Sequence, residues 1–324
     1  MTYSHPHPKA AALKSLVKKW FPIGFYILVA IFIGVYISTI KWDQMGKISL
    51  DPVWFGVATL LALGSRFWFA EIWMFLLRSL GANLDGHRPA LFMVYSKSWL
   101  GRYIPGGAAW ILGKIYFANK LGVSKSKLAV SSFLEGILQI IVVLISASTL
   151  LALDSRASAL GGQWVALLVA ISIGGLVLVN PFVFNRLVKF VYKRFRKAEL
   201  TDEDLPTHKT IWAGIGVFAV SALVGGLSYF FLAKAFVPDL SFSNLSFVVG
   251  ATNLASALSM LAVFAPAGLG VRETVQLATL TVVMDPAQSL LVTVFLRLWS
   301  IAVDVLFFGA AYGIERLSGA KRKG

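Results

Sequence analysis

Apolar residues in this chain fall in long blocks. Uncharged or nearly uncharged runs cover 21–40, 53–77, 128–153, 163–184, 210–233 and 286–314. A helix of about 20 apolar residues crosses a ~30 Å hydrocarbon core, so each run is long enough to span. Two further apolar stretches are interrupted. The first, 89–120, breaks at Pro105-Gly106-Gly107, and the second, 242–284, at Pro266-Ala267-Gly268-Leu269-Gly270. Proline removes an amide donor and clashes with the preceding turn, and glycine adds backbone freedom, so neither motif continues a helix. The arms of 89–120 are about 15 residues, or roughly 22 Å at 1.5 Å per residue, short of the core thickness. The pattern predicts an all-α polytopic membrane protein with six spanning helices and two broken re-entrant hairpins.

Charge supplies a topology. The chain is 57% hydrophobic and 14% charged, with mean hydropathy +0.76 and net charge +15. Most Lys and Arg lie between the apolar blocks, without the basic face and interleaved aromatics of a nucleic-acid binder. Cytoplasmic loops are rich in Lys and Arg. With the N-terminus inside, the cytoplasmic segments are a basic tail at 1–20, short loops carrying Arg78, Arg88, Lys120, Lys125 and Lys127, a basic loop at 185–209, and a basic tail at 315–324. The outside carries only Lys41, Lys47 and Arg156, with Lys234 at a helix end. The bias holds when each broken segment returns to its starting side. The run 21–40 is read as a retained helix, being longer than a signal-peptide core and lacking a small-residue cleavage site.

This order contains an internal repeat. Spanning, spanning, broken, spanning occurs at 21–153 and again, inverted, at 163–314. The break lies 48 residues from the end of the unit in both copies, 105 to 153 and 266 to 314. Inverted repeats with broken helices at matching positions mark many secondary transporters, with the site at the repeat interface.

Backbone groups released at a break need protein or water partners. Each break also starts a half-helix, near Gly106 and near Gly268, and a helix N-terminus suits an anion. Arg102 adjoins the first break and Arg272 the second, each adding donors for phosphate or carboxylate. The expected substrate-binding set is therefore Arg102, Pro105, Gly106, Gly107, Gly268, Gly270 and Arg272. Lys97 and Lys114 are read as snorkelling to headgroups. Ionisable residues within spans are costly and face a partner or a wet cavity. Glu135, Glu273, Arg297 and Asp304 are expected as buried charges, either structural ion pairs or coupling sites. Arg66 and Glu71 are placed near a membrane interface. The Gly-Gly pairs at 161–162, 174–175 and 225–226 are read as packing or loop positions.

Metal and cofactor chemistry is not expected. The absence of cysteine removes disulfides and thiolate sites. His5, His7, His87 and His208 lie in tails or loops without ligand spacing, and Asp202-Glu203-Asp204 reads as a solvated turn.

Gly101-Arg102-Tyr103-Ile104-Pro105-Gly106-Gly107, Gly113, Leu121-Gly122-Val123-Ser124 and Glu135 together resemble the flippase-like family that includes the transmembrane domain of lysylphosphatidylglycerol synthases. Pro266-Ala267-Gly268-Leu269-Gly270-Val271-Arg272-Glu273 is similar to that family's second hallmark, with Ala267 in place of a glycine, and Arg297 also matches. Gly107-Ala108 stands where a basic residue often follows Pro-Gly in the family. The resemblance covers nearly the whole chain. It implies a bacterial inner-membrane or archaeal membrane protein that moves a lipid between leaflets. The synthases' soluble domain is absent after the last span, so translocation without synthesis is the expectation, and the chain is not expected to be an enzyme.

The functions in contention are a flippase or transporter for an anionic-headgroup lipid (a phospholipid or a polyprenyl-phosphate-linked lipid), an ion-coupled carrier of a small soluble anion, and a membrane-embedded transferase acting on a lipid-linked substrate. The expected partners are the bilayer, the lipid and, as an open case, further copies of the chain; nucleic acid is not among them.

Overall fold

A computed structural model describes residues 49–103, 109–156, 162–178, 180–196, 205–262, 268 and 270–321. The described residues are helical, without strands. In order they form α1 (Pro52–Ser79), α2 (Arg88–Leu100), a 3₁₀ turn (Gly101–Tyr103), α3 (Ala109–Asn119) and α4 (Lys125–Ala152). Then come α5 (Gly162–Leu178), α6 (Pro181–Arg196), α7 (His208–Phe236), a 3₁₀ turn (Phe242–Asn244), α8 (Leu245–Leu261), α9 (Val271–Leu280) and α10 (Pro286–Lys321).

Local chemistry sets the helix starts. The Asp51 carboxylate accepts from the Val53 and Trp54 amides at 2.8 and 3.2 Å, and Pro52 follows it. Asp285 precedes Pro286 in the same way and accepts from the Gln288 amide at 2.9 Å. Ser124 and Thr207 cap α4 and α7. A capping side chain supplies an acceptor for amides that have no intrahelical partner.

Four expected spans correspond to α1, α4, α7 and the membrane part of α10. The run 21–40 lies outside the described residues. Among the described residues, five helices are long and apolar enough to cross a membrane, counting Phe242–Leu261 of the second hairpin, or six with one bent pair. That pair corrects the expected span 163–184 and the loop 185–209. The helix ends at Leu178, and α6 departs at 78°. Pro181 cannot donate into a continuing helix, and Asn180 caps the new one by accepting from the Phe182 amide at 3.1 Å. Much of the expected basic loop is thus an amphipathic helix. It buries Phe184 and Val188 and exposes Arg186, Lys189, Lys193 and Arg194. The C-terminal tail 315–324 is likewise helical through Lys321.

Both broken segments fold as packed helix pairs, with arms of 13 and 11 residues in the first. A Cβ on Gly101 would stand 3.0 Å from Ala109 and Trp110 backbone atoms, and one on Gly113 would stand 3.0 Å from Ser98 Oγ. In the second pair, Gly268 has φ +68° and its missing Cβ would fall 2.3 Å from Ser259 Cβ. Any side chain there meets both backbone strain and a clash. The tips themselves, 104–108 with Pro105, Gly106 and Gly107, and 263–267 with Pro266, lie outside the described residues, as does Leu269.

Helices also approach through small residues elsewhere. Gly226 of α7 faces Val249 of α8, Gly214 faces Leu138, and Gly175 faces Ile145. Apolar attraction between helices is weak in lipid, so close packing carries more of the association. One core gathers Trp73, Leu77, Tyr95, Leu134, Phe218 and Phe307; a second gathers Phe230, Val248, Leu280, Val292 and Leu296. Leu60, Leu223 and Val305 point outward as bilayer-facing surface.

Beyond the end of α4, a polar clamp holds the start of the second hairpin. Arg156 donates to Asp154, to Asn244 and to the Ser243 carbonyl, and Ser246 Oγ donates to Asp154 at 2.9 Å. These donors, Arg156 foremost, push the Asp154 carboxyl down to about 2. A carboxyl depressed on folding contributes stability that is full above its unfolded value, near ~4, and is lost as pH falls through its folded value. Wild type is therefore expected to be more stable than Asp154→Asn at pH 6. The gap should close as pH drops from about 4 toward about 2, read by thermal unfolding in detergent.

Candidate functional site

The site is organised around Asp304 of α10. Its side chain is fully buried and receives four donors. Arg66 Nε of α1 donates to Oδ1 at 2.7 Å, and Trp99 Nε1 donates to the same oxygen at 3.1 Å. Arg102 Nη2 and the Tyr103 hydroxyl donate to Oδ2 at 2.5 and 2.7 Å. The Arg66 side chain is 8% exposed, against 24% for that of Arg102. The Arg102 guanidinium lies over the Trp99 ring at 4.5 Å. A carboxylate that removes only one of two guanidinium charges leaves the cluster cationic.

The second hairpin meets this cluster. Arg272, half-buried near the start of α9, lies over the Tyr229 ring of α7 at 5.0 Å. Arg66, Arg102 and Arg272 are all within electrostatic reach of Tyr229, and Arg102 and Arg272 are within reach of Arg297. Glu273 points elsewhere than its neighbour: Oε2 accepts from the Gly270 amide at 2.8 Å, and Oε1 lies 3.5 Å from Arg297 Nε. The Gly270 amide at the α9 N-terminus is therefore taken by Glu273, while among the described residues no side chain caps the amides that follow it. Gly270 adopts φ +82°, which turns the chain into α9. Gly268 packs closely against Ser259.

A family model described as lysylphosphatidylglycerol synthase TM region matches residues 20–307. The chain belongs to this family. No curated protein matches the sequence. Membership in the lysylphosphatidylglycerol synthase TM family ties the protein to membrane-lipid function. The matched range contains all of the arginines and acids above.

Several charges in this family member sit elsewhere than the sequence suggests. Arg66 is in the centre, bound to Asp304, while Glu71 pairs with Arg88 at the surface. Lys114 does not snorkel. It is completely buried, with Nζ 2.5 Å from Glu135 Oε2 and enclosed by the rings of Tyr95, Trp110 and Trp73 at 4.3, 4.4 and 5.4 Å. The Tyr95 hydroxyl donates to Glu135 Oε1 at 2.7 Å. Only Lys97 fits the snorkelling account, half-buried over the Phe117 ring. Glu135, 30 residues after Pro105, and Arg297, 31 residues after Pro266, therefore hold separate partners.

The sequence reading also passed over Tyr95, Trp99 and Tyr103. They stand at i, i+4 and i+8 on the first hairpin and donate to both buried carboxylates, Glu135 and Asp304. Aromatic residues with a polar tip at four-residue spacing, in an arm that also carries cations, were the available signal.

Proposed function

We propose that this chain moves a lipid with an anionic headgroup between the leaflets of a membrane. The observation that carries the reading is the excess of cation in a buried and half-buried cluster. Arg66, Arg102, Arg272 and Arg297 come from α1, both hairpins and α10, and of the described residues two acids, Asp304 and Glu273, stand among them. Guanidinium groups are suited to phosphate, to which they donate in a fixed fork. Net positive charge in a low-dielectric interior is costly, and an anionic ligand would offset it. Arg102 and Arg272, one per hairpin, both lie near Tyr229, so both hairpins contribute a cation to the same cluster. The reading contains no bond-making step, because the buried carboxylates of Asp304 and Glu135 are already engaged by cations. The Lys and Arg bias favours a cytoplasmic side for both termini, and the family resemblance favours a bacterial inner membrane.

The test is a headgroup series in proteoliposomes. Fluorescent lipids with net-negative headgroups should change leaflets at least tenfold faster with protein than without. Zwitterionic choline lipids should stay near the protein-free rate. Equal acceleration of both classes would indicate a nonselective scramblase and remove the anion site from the mechanism.

A further inference from the structure

The last helix carries a buried polar stripe that the arginine cluster does not exhaust. Ser289, Thr293, Arg297, Ser300 and Asp304 recur at three- and four-residue spacing on α10, and all are buried. The stripe is about 22 Å long at 1.5 Å per residue. Facing its Ser289–Arg297 half is α9, joined by a short turn and so antiparallel to it. The Glu273–Arg297 contact sets the register. One turn further from the cluster on each helix lie Gln276, four residues after Arg272, and Thr293, four before Arg297. Residues at this spacing share a helix face.

Two buried polar atoms at this step find no hydrogen-bond partner among the described residues, Gln276 Nε2 and Thr293 Oγ1. Their neighbours along the seam behave otherwise. Thr279 Oγ1 donates to the Val275 carbonyl at 2.7 Å, and Ser289 Oγ donates to the Met284 carbonyl at 3.5 Å. Thr59 and Thr252, also in helices, each donate to the carbonyl four residues back at 2.8 Å. Thr293 does not use that outlet. A buried amide or hydroxyl is usually matched, and where protein supplies nothing the partner is a ligand or an ordered water.

We propose that Gln276 and Thr293 form a neutral polar subsite for a hydroxyl-bearing portion of the headgroup whose phosphate is held by the arginines. This rests on the anionic-lipid reading above. The carboxamide donates and accepts, the threonine hydroxyl does both, and neither carries charge, so the pair suits a polyol rather than a second phosphate or an amine. Its position one turn from Arg272 and Arg297 matches the short distance between a phosphodiester and the hydroxyls esterified to it. The rest of the seam, Thr279 and Ser289, continues the polar surface toward the α9–α10 turn and gives such a group a route past the apolar core.

The test uses the full chain with near-isosteric variants Gln276→Leu and Thr293→Val in phosphatidylcholine vesicles. The probes are trace fluorescent lipids with glycerol or inositol headgroups, and phosphatidic acid, whose phosphate bears no such group. Wild type should move the hydroxylated lipids about fivefold faster than phosphatidic acid, the order of one net hydrogen bond. Either variant should bring that ratio close to one while the phosphatidic acid rate is kept. An unchanged ratio in both variants, or an equal fall for all lipids, overturns the subsite. A rise in melting temperature with the ratio unchanged also overturns it, and assigns the two atoms to a structural water.

If wild type moves none of the lipids, the translocation reading fails on its own. The subsite is then read by thermal protection in detergent with glycerol 3-phosphate against inorganic phosphate. It stands if glycerol 3-phosphate protects wild type more and the variants lose the difference, and falls if the two probes protect equally.

Discussion

Arg272→Ala is expected to abolish the movement of anionic lipids in proteoliposomes while the protein still folds and inserts. Arg272 is half-buried, lies over the Tyr229 ring at 5.0 Å and hydrogen-bonds the Tyr229 side chain. Loss of the cation–π contact costs about 0.5–1 kcal/mol and loss of the hydrogen bond about 1 kcal/mol more, still within the tolerance of a folded domain. Loss of charge-assisted hydrogen bonds to a bound phosphate is larger, about 1.5–3 kcal/mol each, or roughly ten- to a hundredfold in rate or affinity. The two effects are therefore separable by melting temperature and transport rate measured on the same preparation. Arg272→Lys should recover part of the rate, since an ammonium keeps the charge without the planar fork. Tyr229→Leu removes this contact while keeping the arginine, and should leave more activity than Arg272→Ala. Wild-type rates for Arg272→Ala would return this arginine to a structural role.

The largest loss of stability is expected at Lys114 and Glu135. Both side chains are fully excluded from solvent, and the pair ties α3 to α4 while Tyr95 ties α2 to the same carboxylate. Removing one member of a buried pair strands the other charge and costs about 3–5 kcal/mol. Lys114→Met alone should lower the melting temperature sharply, or prevent recovery of folded protein. Replacing both, Lys114→Met with Glu135→Leu, should restore most of it, because hydrophobic replacement of a whole buried pair is often close to neutral. The double variant also answers the question of coupling. A structural pair predicts a rescued protein that transports at near the wild-type rate and with the wild-type response to a pH gradient. A rescued protein that has lost that response makes the pair part of energy coupling. A double variant as unstable as the single would show that the ring cage of Trp73, Tyr95 and Trp110 requires its cation.

Helix positions were largely legible along the chain. The runs 53–77, 128–153 and 210–233 became Pro52–Ser79, Lys125–Ala152 and His208–Phe236, and the run from 286 began its helix at Pro286. Span length and capping are local properties, written in apolar runs and in Asp, Ser or Thr before them. The bend at Asn180-Pro181 was also locally encoded and was overlooked, because the apolar run continues through it without a charge. The two helix–break–helix segments followed from Pro and Gly, and their folding as packed pairs agrees with the small residues Gly101, Gly113 and Gly268.

Which charges meet is another matter. The sequence by itself determined that Glu135, Asp304, Arg297 and Arg272 lie within apolar surroundings and need partners. It could not name those partners. Asp304 draws Arg66 from 238 residues away and Arg102 from 202 away, and Lys114, read as a surface residue, became the partner of Glu135. A buried charge demands compensation whatever its address, but the compensating group is whichever one helix packing brings within hydrogen-bond range. That choice depends on the docking of two hairpins against α1, α4 and α10, a property of no single segment, and so only the tertiary structure decided it.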